Sequence, residues 1–257
     1  LLRRASREIA MNMLPLLLHP RGRSRELGLA LLAGALWGIV LWRAGLPGWS
    51  GPALTLILLS MPLALKWRSD WRTLGAPAAV LSILLVAQTL HSVEHAAQWV
   101  QFHLLGWPAK AAGGLISPLN AEVVHFTWNT AVLAAVIYLV TAGMRNRWMW
   151  LLLIWATAHS AEHLYMFVRY LEAVRELQAA GLPLAEAQGL PGILGRDGWL
   201  AVQATTSPAA QFLCSFAPSL KEAPRLDVHF WWNAGEVGLL LLAAHTARLA
   251  PIRTSEG

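Results

Sequence analysis

The chain has 257 residues, 56% of them hydrophobic and only 13% charged, with a formal net charge of +6. Ordinary soluble domains carry about 25% charged residues, so this composition excludes a soluble globular domain. The basic excess lies beside apolar segments, where it acts as a topology signal rather than a nucleic-acid footprint. The single cysteine, Cys214, rules out an intrachain disulfide and argues against thiolate metal ligation.

In chain order, residues 1–26 form a basic segment read as cytoplasmic or interfacial. Its first 18 residues mix basic and apolar side chains as an interfacial amphipathic helix does. Six apolar stretches follow, at 27–42, 53–65, 76–105, 119–141, 148–171 and 226–249. A membrane span needs about 20 apolar residues, and lipid-exposed backbone must satisfy its own hydrogen bonds. The expected fold is therefore an all-α integral membrane protein with about six transmembrane helices. Trp42, Trp49, Trp67, Trp71, Trp107, Trp148 and Trp150 lie near span ends, as an interfacial belt would.

With six spans, thirteen of the twenty Lys and Arg residues fall on one side: Arg3, Arg4, Arg7, Arg21, Arg23, Arg25, Lys66, Arg68, Arg72, Arg145, Arg147, Arg248 and Arg253. The positive-inside rule then places both termini in the cytoplasm of a cell (inner) membrane, with the long 172–225 segment outside.

The second half carries one pattern twice. LVAQTLHSVEH (Leu85 to His95) and LIWATAHSAEH (Leu153 to His163) agree at six of eleven positions. VHFTWN (Val124 to Asn129) and VHFWWN (Val228 to Asn233) agree at five of six. The order is the same each time, which reads as a tandem duplication. Residues 27–75 are then a two-helix hairpin and 76–145 the first copy. Residues 146–250 are the second copy, with its enlarged outer loop at 172–225, and 251–257 form a tail. Parallel copies predict a four-helix bundle with a pseudo-two-fold axis along the membrane normal.

Residues three and four apart share a helix face. His91, Glu94 and His95 therefore project together, as do His159, Glu162 and His163. The same spacing aligns His125, Trp128 and Asn129 on one helix and His229, Trp232 and Asn233 on another. Two imidazoles at i and i+4 can chelate one ion. The expected metal ligands are His91, Glu94, His95, His125, His159, Glu162, His163 and His229, holding two ions across the pseudo-two-fold. Glu94 and Glu162 double as candidate proton-handling groups. Trp128, Asn129, Trp232 and Asn233 are expected to wall the centre or hold it by hydrogen bonds. Imidazole suits Zn, Cu, Fe and Ni, and iron or copper is favoured here, with zinc as a further option. Metal-free helix pairing by polar side chains is the competing reading of the same residues. Placing so many ionisable groups in a bilayer is costly, which favours a functional site.

HSVEH and HSAEH resemble the H-x-x-E-H string of inverted zinc proteases. The HxxxH spacing resembles the first box of membrane fatty-acid desaturases and hydroxylases, whose paired HxxHH boxes are absent here. Neither resemblance assigns a family. The expected function is a membrane metalloenzyme of oxidoreductase type acting on a small apolar substrate or dioxygen, within the lipid bilayer and toward its outer face. The alternatives are a haem-binding or electron-transfer subunit serving a redox partner, and a proton or metal-ion transporter or sensor. His103 and His245 have no counterpart in the other copy and read as interfacial. Glu236 reads as a local partner or proton carrier, and Glu122 and Asp227 as ordinary acids at helix N-termini.

Overall fold

The computed structural model of the chain describes residues 13–247. Among these, every regular element is helical. The helices are α1 (Met13–Leu18), α2 (Ser24–Arg43), α3 (Ser50–Leu74), α4 (Ala76–His103), α5 (Glu122–Thr141), α6 (Arg147–Ala180), α7 (Trp199–Gln203), α8 (Pro208–Phe216), α9 (Ser219–Glu222) and α10 (Arg225–Thr246). Two 3₁₀ turns, Ser117–Asn120 and Leu184–Ala187, lie in the loops. Arg3, Arg4 and Arg7, used above for topology, lie outside the described residues, as do Arg248, Arg253 and the 251–257 tail.

Four helices are long and apolar enough to cross a membrane: α2, α3, α4 and α5. They mark a membrane protein in contact with lipid. α6 and α10 do not stand out by that measure; beside the motif they share with α4 and α5 they carry further charged residues, Arg147, Arg169 and Glu172 in α6 and Arg225, Asp227 and Glu236 in α10. α3 continues to Leu74 and α6 to Ala180, well past the expected ends at 65 and 171. With 34 residues, α6 is about 51 Å long, roughly 20 Å more than a bilayer core. Its start is fixed by Asn146, whose side chain accepts from the Met149 amide and donates to the Ala243 carbonyl of α10.

α4, α5, α6 and α10 form a bundle in which α4 packs on α10, α5 on α6, α6 on α10 and α4 on α5. The bundle is layered along its axis. One layer is apolar, built from Leu81, Leu85, Val136, Leu139, Met149, Leu152, Leu240 and Ala243. The other, toward the α4–α5 and α6–α10 loops, holds the histidines. α1 inserts Met13 and Leu17 into the apolar layer, so these two side chains belong to the core. Met13 and Leu17 are buried against the end of the bundle, whereas Leu18 stays exposed.

α2 and α3 form a hairpin beside the bundle, with α3 against α4. They cross at glycines. A Cβ placed on Gly51 would lie 2.8 Å from the Gly38 Cα, and one on Gly34 would strike Thr55. The Gly34-x-x-x-Gly38 spacing lets the two backbones meet where no hydrophobic drive exists inside lipid. Most of α2 is otherwise exposed, including Leu32, Leu36, Trp37 and Ile39, as suits a lipid-facing helix.

Lys66, counted above as a topology charge, is buried. Its ammonium meets Asp70 at 2.5 Å and Ser82 at 2.6 Å. Asp70 also receives Arg21 at 2.9 Å, and Ser82 Oγ donates to the Leu17 carbonyl at 3.2 Å. This network ties α1, the α1–α2 turn, α3 and α4 together at the end of the molecule away from the histidines.

Candidate metal centre

Each i, i+4 pair turns its two Nε2 atoms toward one another, with the rings at 90° on α4 and at 54° on α6. His91 Nε2 lies 3.3 Å from His95 Nε2 on α4, and His163 Nε2 lies 3.2 Å from His159 Nε2 on α6. Two nitrogens about 2.0–2.1 Å from one ion at a tetrahedral angle lie about 3.3–3.4 Å apart. His125 of α5 and His229 of α10 join the pairs. Ring centroids are 5.4 Å apart for His95 and His125, 5.1 Å for His163 and His229, 5.8 Å for His95 and His229, and 5.4 Å for His125 and His163. All six rings form one continuous cluster, buried except for His91, which is half-buried. In particular, His91, His95 and His125 each offer one nitrogen, all within 4.8 Å of one another, and can hold a metal ion.

The outer hydrogen bonds set several tautomers. His95 Nδ1 meets Gln98 Oε1 at 3.1 Å, His159 Nδ1 meets Glu236 Oε2 at 3.1 Å, and His229 Nδ1 meets the Arg225 carbonyl at 2.8 Å. Each partner oxygen accepts, so each Nδ1 carries the hydrogen and each Nε2 keeps a free lone pair turned toward the cluster. Partners of this kind orient metal-bound histidines. The interior polar inventory is also incomplete. His125 Nδ1, His163 Nδ1, His229 Nε2 and Asn233 Oδ1 are buried without a hydrogen-bond partner. Buried polar atoms are nearly always paired; His229 Nε2, whose opposite nitrogen carries the hydrogen, therefore keeps an open lone pair that fits a cation.

Glu94 and Glu162 face a different task. Glu94 accepts from the Leu115 and Ile116 amides, both at 2.9 Å. Glu162 accepts from Ile193 at 3.0 Å and Leu194 at 3.3 Å. Neither carboxylate bonds an imidazole among the described residues. Each instead fastens the loop that leaves its own copy. A glycine precedes both amide pairs, in Gly114-Leu115-Ile116 and Gly192-Ile193-Leu194. A Cβ on either glycine would run into the carboxylate. This short loop match was available in the sequence but is separated from the helix motif by different loop lengths.

Trp128 lies over His91 with ring centroids 5.3 Å apart, and Trp232 stacks on His159 at 5.3 Å with 7° between planes. Asn129 and Asn233 each donate to the carbonyl of the histidine one turn back, at 2.9 Å. Their own carbonyls accept across the bundle, Asn129 from Ser160 at 3.2 Å and Asn233 from Ser92 at 3.5 Å. These asparagines therefore brace helices and do not touch the cluster's centre with their amide nitrogens.

Two buried residues were not singled out as site residues from the sequence. Gln88 donates to Glu236 at 2.8 Å and accepts from Trp128 Nε1 at 2.7 Å. Glu236 thus bridges Gln88 and His159. Neither is duplicated, so the repeat could not reveal them. Glu122 and Asp227 are also more than helix-end acids. Glu122 is buried and takes Arg225 at 2.6 Å, while Asp227 pairs with His103 at 2.5 Å.

A polar vestibule of about 320 Å³ leads from the loops down to His95, His125 and His229. Gln98, Asn120, Gln188 and Arg225 line it, and the Lys110–Glu186 pair at 2.9 Å joins the two loops that frame it. Comparison with known protein families, curated proteins and solved structures finds no match to this chain.

Proposed function

We propose that this chain is a multi-pass membrane metalloprotein in which six histidines hold two transition-metal ions, and that it works as a membrane oxidoreductase on an apolar substrate. The observation that carries the reading is the pair of Nε2–Nε2 separations, 3.3 Å and 3.2 Å, on two different helices. They match the spacing of two imidazoles on a shared ion, and they occur at equivalent positions of the HSxEH repeat. His91, His95 and His125 serve one ion, and His159, His163 and His229 the other. The unpartnered Nε2 of His229, whose Nδ1 is already held by the Arg225 carbonyl, supports this assignment.

In this reading α6 and α10 also cross the membrane, which gives six spans, cytoplasmic termini and a centre in the outer half of the bilayer. The matched contacts of the two copies support a tandem duplication: Glu94 and Glu162 on loop amides, Asn129 and Asn233 on histidine carbonyls, and Ser92 and Ser160 across the bundle. Glu94 and Glu162 act as positioning residues that close the loops over the centre. The ions have an all-imidazole donor set, which suits copper, iron and zinc; copper or iron would add redox chemistry. The polar vestibule is the route for water, protons and dioxygen.

Elemental analysis of the full chain purified in mild detergent tests the assignment. Two ions per chain are expected, with one lost in His91→Ala, one in His159→Ala and both in the double variant. A folded, metal-free wild-type protein after purification without chelators would overturn it.

A further inference from the structure

A second cavity, of about 420 Å³, lies between the α2–α3 hairpin and the α4–α5 pair. Its walls are apolar: Leu31 from α2, Leu56 and Leu59 from α3, Leu90 from α4 and Leu119 from the turn before α5. Its inner end is not, for it stops at His91, His125 and Trp128. Leu90, Val93, Leu115 and Leu119, which also line it, are at least 40% exposed on the outer surface. The cavity therefore opens sideways between apolar, membrane-length helices. The vestibule described above meets the same His125 from the loop side. One cluster of imidazoles thus has an apolar approach from the bilayer and a polar approach from the loops.

We propose that the lateral cavity binds one long hydrocarbon chain of a bilayer lipid and brings it end-on against His91 and His125. The chemistry of the walls selects the class. An apolar lining with a few polar groups at one end is the ordinary form of a small-molecule site, and no charged side chain other than Glu94, which is held by loop amides, lines the cavity. The volume of about 420 Å³ falls within the roughly 300–1,000 Å³ range of small-molecule pockets, the scale of one chain rather than of a whole phospholipid. The position of the mouth selects the source, because a ligand arriving there has already partitioned into lipid. The inference deepens the metal reading by naming its substrate class, and it rests on that reading for the chemistry but not for the binding.

The test is photo-cross-linking of the full chain in lipid nanodiscs with a long-chain fatty acid carrying a diazirine, followed by peptide mapping. Cross-links should concentrate on the segments around Leu59, Leu90 and Val124. They should fall at least tenfold in Ala87→Phe and in Leu90→Trp, the latter at a position exposed enough to accept the ring without loading the core. Leu151→Trp, on the exposed face of α6 and away from the cavity, should leave them unchanged. Metal content is measured on the same samples and should be equal in all four proteins. Labelling spread evenly along α2 and insensitive to both filling variants would overturn the proposal. Pocket-specific labelling in a metal-free protein would uphold the pocket and overturn the metal centre, and a metal-replete protein without pocket labelling would do the reverse.

Discussion

Glu236→Leu separates a metal-orienting role from a merely buried charge. The carboxylate is 1% exposed and accepts from Gln88 Nε2 at 2.8 Å and from His159 Nδ1 at 3.1 Å. Leucine fills similar space but accepts nothing, so two buried donors lose their partner. At about 1–3 kcal/mol for each orphaned group, the fold should lose about 2–6 kcal/mol. Loss of an outer partner of a metal-bound histidine lowers affinity about 10–100-fold, or about 1.4–2.7 kcal/mol. Only the His159–His163–His229 ion should be affected, since His91, His95 and His125 have no contact with Glu236 among the described hydrogen bonds. Glu236→Gln keeps an oxygen for His159 and should retain affinity within about tenfold. The assay is chelator competition with metal quantification, run beside thermal unfolding in detergent. Wild-type affinity in a folded Glu236→Leu protein would refute the claim that Glu236 orients a ligand.

Gly114→Ala and Gly192→Ala should each force a carboxylate off its two loop amides, costing about 1–3 kcal/mol for the groups left unpaired. Hydrogen exchange at residues 115–116 or 193–194 should rise accordingly, with the change confined to the loop whose glycine was replaced. Asp70→Leu should be strongly destabilising, by about 3–5 kcal/mol, because it leaves the Lys66 ammonium buried with Ser82 alone. Adding Lys66→Met should recover much of that loss. An Asp70→Leu protein as stable as the wild type in denaturant titration would show that the network carries no net stabilisation.

What was legible in the sequence was whatever helical spacing and duplication encode. The His91–His95 and His159–His163 faces follow from a four-residue interval, and the convergence of His125 and His229 upon them follows from the order of the repeat. Spacing fixes a face, however, and not the partner that reaches it. Glu94 and Glu162 share the histidines' face by interval, yet the returning loops supply their partners, and loop paths leave no periodic trace. Gln88 and Glu236 are single occurrences facing each other across α4 and α10, so neither the repeat nor local spacing joins them. Lys66 and Asp70 sit at the expected end of a span, where a buried ion pair and a solvated topology charge have the same local pattern. In α6, Arg169, Glu172, Arg175 and Glu176 have the local pattern of a membrane exit near the expected end at 171. The helix continues through them, with Arg169 and Glu172 paired at 3.2 Å one turn apart, because leaving lipid does not require leaving the helix.

X-ray absorption at the edge of whichever metal the purified chain carries tests the central claim most directly. The account predicts a first shell of nitrogen only, at about 2.0–2.1 Å, with the outer scattering of imidazole rings and a signal halved in His159→Ala. A shell dominated by sulfur or carboxylate oxygen, or a spectrum unchanged when His91 and His159 are both replaced by alanine, would contradict it.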